Sequence, residues 1–202
     1  MRTFEEYSEF QVYGATVLTF IEGFGSFTLL AHRFLLDEKI GTLDNGGSLI
    51  IEKEKLYPMP NLLRAFDRMG KEFGDLPLHR AGLTIQKNAF YPAAILAEGI
   101  AEAFNRGDVR YYLNHATKDG KPLYDVETHE LRHLGGIGHY SLKAVPGKKE
   151  IRGFVDAPYP CPYTQGVILG VAQRFEANAT VTHEPGPCRK NGDKACYYTI
   201  RW

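Results

Sequence analysis

The spacing of hydrophobic positions changes near the middle of the chain. Upstream, apolar residues recur at intervals of three and four, the spacing that lines one face of a helix. Leu29, Leu30, Phe34 and Leu35 predict a helix over 27–39, with Ser26 as its cap. Leu62, Leu63, Phe66 and Met69 predict an amphipathic helix over 61–73, stopped by Gly74. Ala94, Ile95, Ile100 and Ala103 predict another over 92–104, with Pro92 at its first position. The aromatic and β-branched stretch 4–21 reads as a helix, and 48–57 and 78–85 as strands. Asp44-Asn45-Gly46-Gly47 is a turn between them.

From Asp108 the pattern shortens to that of strands, over 109–113, 122–134, 139–145 and 150–155. Asp119-Gly120-Lys121, Gly135-Gly136 and Pro146-Gly147-Lys148 separate them. Helices first and strands later predict an α+β fold, an antiparallel sheet covered by helices. Residues 1–107 form the helix-rich part of one domain, and 108–202 the sheet with a cysteine-containing C-terminal lobe.

That last lobe holds all three cysteines. Cys161 opens a helical run to about Phe175. Gly166 and Gly170 lie four residues apart on it, where they permit close backbone approach. A strand over 180–183 follows, then Cys188, the turn Asn191-Gly192-Asp193, Cys196 and a final strand. In that strand Cys196, Tyr198, Ile200 and Trp202 share one face. Two cysteines around a tight turn can converge, and a third at a helix start can join them. Cys161, His183, Cys188 and Cys196 therefore make a candidate tetrahedral zinc site, with Glu184 as the alternative to His183. Strand alternation favours His183, which shares a face with Val181. Three buried free thiols, or a disulfide, are the competing readings.

At 202 residues the chain can bury a core without staples. Lys plus Arg and Asp plus Glu are 24 each, so no charge excess points to nucleic acid. The charged start shows no leader and no apolar run nears bilayer length, which predicts a cytoplasmic protein with reduced thiols and no membrane partner. Twelve Tyr and 12 Phe suit a large core or an apolar pocket.

A rival motif is His129-Glu130-Leu131-Arg132-His133, extended by Gly136 and His139 to the pattern of zinc peptidases. There the first two histidines share a helix face and Glu130 is the general base. Three features oppose this. No methionine follows His139, the run 122–134 lacks a helical apolar stripe, and as a strand it places His129, Leu131 and His133 on one face. His32, His79 and His115 have no spaced partners and read as ordinary polar residues.

The C-terminal pattern of Cys161, Gly166 and Gly170, then Cys188, Gly192-Asp193 and Cys196 before an alternating strand, resembles the 4-vinyl reductase (hydrocarbon-binding) domain. The resemblance is firm over 138–202. It implies the ligand-binding fold shared with haem-NO-binding domains and Golgi transport-particle subunits. It also implies a zinc site beside a pocket for a small apolar or aromatic molecule. The family's acidic ligand falls three residues before the second cysteine, which here is Pro185. Tyr112, Tyr140, Phe154, Tyr159, Tyr163 and Val167 flank the cysteines and are the candidate pocket walls. With four protein ligands the zinc would be structural. A small-molecule sensor, more a binding module than an enzyme, is the favoured function. It implies a homodimer and a signalling partner protein. A zinc peptidase and a tetrapyrrole- or haem-handling accessory protein are the alternatives.

Overall fold

The computed structural model describes residues 4–88, 93–132 and 136–202. Its C-terminal third builds a four-stranded antiparallel sheet from β6 (Tyr140–Ala144), β7 (Glu150–Val155), β8 (Thr180–His183) and β9 (Cys196–Arg201), in the order β6-β7-β9-β8. Register is set by burial: Val155 pairs with Cys196 and Ile151 with Ile200, and all four are buried. On the other face Phe154 meets Tyr197, which is exposed.

The helix α7 (Cys161–Gln173) links β7 to β8. It packs closely on α4 (Asp75–Asn88), and glycines on both sides make this approach. A Cβ on Gly166 would lie 2.0 Å from the carbonyl oxygen of His79, and one on Gly82 would lie 2.2 Å from that of Tyr163. Neither backbone carbonyl can swing away as a side chain can. Gly166→Ala is expected to lower the thermal midpoint by roughly 5–10 °C, an overpacking penalty read by calorimetry.

The remaining helices are α1 (Gly14–Glu22), α2 (Thr28–Asp37), α3 (Met59–Phe73), α5 (Ala93–Asn105) and α6 (Gly107–Tyr112). The helix α5 is kinked at Gly99, whose φ is 83°. Phe20 of α1, Phe66 of α3 and Tyr163 of α7 meet with ring centroids 5.1–5.3 Å apart, and these contacts join three helices in one core. A second sheet, in the order β4 (Leu56–Pro58), β1 (Phe10–Tyr13), β5 (His115–Thr117), ties the start of the chain to its middle. The hairpin β2 (Thr42–Leu43) and β3 (Leu49–Ile50) closes on the Asp44 turn.

This is the α+β architecture expected, with five local corrections; the first is that 48–57 is not one strand, since residues 51–55 turn between β3 and β4, which join different sheets. Residues 78–85 belong to α4, where the glycine contact with α7 outweighs β-branched neighbours. Val109–Leu113 is not a strand, because Gly107 lets α6 sit against the Tyr140 carbonyl, 2.9 Å from a built Cβ. The stretch 4–21 is a strand followed by a helix. Over 122–132 the chain forms a turn with isolated bridges, Ala116 to Pro122 and Tyr124 to Leu131. Pro92 lies outside the described residues. No single described helix is long and apolar enough to cross a membrane.

Candidate metal centre and ligand cavity

Three elements converge at the C-terminal lobe. Cys161 is the first residue of α7, where the helix N-terminus favours negative charge. Cys196 opens β9, and His183 ends β8 opposite Tyr198. Cys188 lies in the loop between, which is wound tightly by its own backbone. Asn191 N–H donates to the Cys188 carbonyl at 2.8 Å, and Asp193 accepts the Cys188 N–H at 2.8 Å. Gly192 sits at φ 95°, the left-handed conformation this reversal needs.

The three sulfurs form a triangle with sides of 3.2, 3.6 and 3.7 Å. The ligand atoms of Cys161, His183, Cys188 and Cys196 all lie within 4.8 Å of one another. A tetrahedral ion with bonds of ~2.3 Å to sulfur sets its ligand atoms about 3.8 Å apart, so the group needs little movement to close on one. The His183 ring stacks on Tyr198 at 5.0 Å, and its Nε2 is buried without a hydrogen-bond partner. An orphaned imidazole nitrogen beside three thiols is the donor set a zinc ion takes. Glu184 is not in the group; the strand ends with His183 turned toward the sulfurs.

The three thiols are not equivalent electrostatically. The bond with Cys161 lowers the Cys196 pKa well below the ordinary thiol value, helped by the Arg189 N–H at 3.3 Å and the Arg189 charge. The same bond, with burial, pushes Cys161 up. The side chain of Arg189 is 1% exposed and donates from Nη2 to the Tyr159 carbonyl at 2.6 Å.

Beside this centre lies a cavity of about 70 Å³. It lies between α1, α4, α5, α6 and α7. Phe20, Ile85, Phe104, Val167, Ile168 and Val171 make the apolar wall. Tyr111, Tyr140, Tyr159, Tyr163, Asn114 and His115 add polar atoms, and among the described residues Arg110 is the one charged residue on its lining. Of the candidate wall residues, Tyr140, Tyr159, Tyr163 and Val167 line it. Tyr112 and Phe154 do not. The Tyr112 hydroxyl turns instead to the Gly138 carbonyl at 3.2 Å and to His139 at 3.1 Å. Phe154 lies on the outer face of β7.

His115 was an unremarkable residue in sequence, and in the fold it is central. It is 1% exposed. Nδ1 lies 2.7 Å from the Tyr111 carbonyl, so it carries the proton, and Nε2 accepts from the Tyr159 hydroxyl at 2.8 Å. Burial lowers its pKa to about 4. Burial likewise pushes Tyr140 up to about 12.

The peptidase motif does not form a comparable centre. His129 sits in a turn at φ 60°, and its Nδ1 meets the Tyr124 hydroxyl at 3.0 Å. Residues 125–132 contain no helix, so His129 and Glu130 are not on the helix face the motif requires. His139 pairs with Asp108 at 3.0 Å, which fastens α6 to β6. His133 lies outside the described residues. Among the described residues the cysteine–histidine group alone has the spacing of metal ligands.

No protein-family model matches the sequence, and no curated protein matches it. Solved structures do match. An H-NOX protein from S. oneidensis in the Fe(II)NO ligation state is 15% identical over 94% of this chain and 98% of its own, with a TM-score of 0.60. An H-NOX family protein studied for haem distortion is 15% identical, covering 94% of each chain, with a TM-score of 0.59. An unliganded Fe(II) H-NOX variant from K. algicida is 10% identical over 94% of this chain and 95% of its own, with a TM-score of 0.53. The fold is thus the one adopted by haem-NO-binding domains.

Proposed function

We propose that this domain binds a small apolar or aromatic molecule in the cavity, and that Cys161, His183, Cys188 and Cys196 hold a structural zinc ion that fixes the cavity wall. The observation that carries this is the position of Cys161. It is at once a member of the sulfur triangle and the first residue of α7, whose Tyr163, Val167, Ile168 and Val171 face the cavity. An ion at the centre would tether that wall to the sheet. The C-terminal cysteine pattern supports placing the domain beside the 4-vinyl reductase type of ligand-binding module. Four protein ligands leave no open coordination position, which suits a structural rather than a catalytic ion.

The size of the cavity bounds the ligand. About 70 Å³ is room for roughly half a dozen water-sized groups, hence a molecule of about one ring. The lining does not fit haem. A porphyrin exceeds the space, and both nitrogens of His115, the one histidine on the lining among the described residues, are engaged. The tyrosines there are held protonated by burial. The haem-handling alternative therefore has the fold on its side and the lining against it.

A sensory role follows as part of the same proposal: occupancy of the cavity would shift α7, and a partner protein or a second copy would read that shift in the cytoplasm. A panel of single-ring aromatic compounds screened by thermal unfolding tests the binding. A ligand at a hundred times its Kd is expected to raise the midpoint by roughly 5–10 °C. Val167→Phe, which fills the space, is expected to abolish that shift. If no compound moves the wild type, the cavity is not a binding site.

A further inference from the structure

Arg189 presents a problem of charge. It is among the most fully buried side chains of the protein, at 1% exposure. Its guanidinium makes one hydrogen bond, from Nη2 to the Tyr159 carbonyl, while Nε and Nη1 are buried with no partner. No carboxylate reaches it among the described residues. A buried, unpaired cation is strongly unfavourable, and an arginine confined to one carbonyl bond is not neutralised by it.

A candidate for the compensating charge is next to it in the chain. Arg189 follows Cys188 directly, and its backbone N–H points at the Cys196 sulfur, 3.3 Å away. Three thiolates and a neutral imidazole around a divalent ion sum to one negative charge. One guanidinium cancels it.

We propose that Arg189 is the counter-ion of an anionic three-cysteine, one-histidine metal centre, and that its charge sets the affinity of that centre for zinc. This rests on the metal reading above, but it adds a residue that coordinates nothing. The Tyr159 carbonyl bond gives it a second consequence. Tyr159 lines the cavity and holds His115, so the same arginine joins the metal centre to the cavity wall. With the ion bound, the centre carries a fixed negative charge and the arginine is needed.

The test is zinc affinity by competition with a chromophoric chelator, on the full chain. The variants are Arg189→Met, which keeps bulk and removes charge, and Arg189→Lys, which keeps charge. Arg189→Met is expected to weaken zinc binding tenfold or more, the scale seen when groups behind a metal's ligands are removed. Arg189→Lys is expected to stay within about threefold of wild type, since a point charge suffices. Arg189→Met should also lower the unfolding midpoint of the zinc-loaded protein more than that of the chelator-stripped protein. Equal zinc affinity in wild type and Arg189→Met overturns the inference, as does an equal drop in midpoint with and without zinc. If Arg189→Met does not fold, Arg189→Lys decides: tenfold weaker binding there means charge is not the determinant. A wild type that takes up no zinc defeats the metal reading itself, whereas a wild type holding one zinc, with unaffected variants, defeats this inference alone.

Discussion

Cys196→Ser is expected to purify without metal and to unfold at least 8–16 °C below wild type. The size follows from linkage. A ligand held at a thousand times its Kd contributes ~4 kcal/mol, and for a chain of this length each kcal/mol moves the midpoint by about 2–4 °C. Cys196 is the residue to change because it joins most of the centre's contacts. It touches both other sulfurs, accepts the Arg189 N–H and sits opposite Val155 at the start of β9, an inner strand of the sheet. Serine is smaller and keeps the strand, so lost packing accounts for only a small part of the drop. The control is the wild type stripped with a chelator. It should fall to nearly the same midpoint, and stripping Cys196→Ser should change nothing further. His129→Ala is expected to leave both metal content and midpoint unchanged, because that residue sits in a turn remote in role from the sulfurs. Metal content is read by elemental analysis and the midpoint by calorimetry.

Acid should weaken the fold through His115, by about 3 kcal/mol between pH 6.5 and pH 4. An unfolded histidine takes its proton near pH 6.5. In the fold burial delays this until about pH 4. Between those values the unfolded chain binds more protons than the native one, so stability falls as pH falls. Above pH 6.5 both forms are neutral and the term vanishes. The interval of about 2.5 pH units, at 1.36 kcal/mol each, gives the total. No screening reduces it, because the imidazole is fully enclosed. His115→Asn removes the titrating group and keeps a donor for the Tyr111 carbonyl. It should start less stable at pH 7, having lost the Tyr159 bond, yet lose about 3 kcal/mol less than wild type on acidification. Any loss from protonating the metal ligands is common to both proteins. Denaturant titrations at pH 7, 5.5 and 4 measure the difference.

What the sequence discloses depends on whether the cause is local. Strand β9 and helix α3 are legible because their apolar period matches the face they bury, and β7 because the Pro146-Gly147-Lys148 turn marks its start. The turn after Cys188 is legible because Gly192 and Asp193 carry its geometry themselves. The helix α4 is not, since Leu78 to Ile85 has mixed propensity and becomes a helix through its glycine contact with α7, 84 positions on from Gly82 to Gly166. Val109, Tyr111 and Tyr112 have strand-forming side chains, yet a tertiary contact makes them a helix. The metal ligands could be proposed because thiols are few and spaced around a turn. His115 could not be found, as its partner Tyr159 is 44 residues away. Arg189 could not either, because nothing in a short charged turn marks one arginine for burial.

The metal centre and the cavity wall it tethers both depend on one ion bound by three sulfurs and one nitrogen. X-ray absorption at the zinc edge, on protein purified with zinc and washed free of excess, measures that directly. The account predicts one zinc per chain, with three sulfur neighbours near ~2.3 Å and one nitrogen near ~2.0 Å. A chain that retains no zinc, or a first shell of nitrogen and oxygen alone, would contradict it.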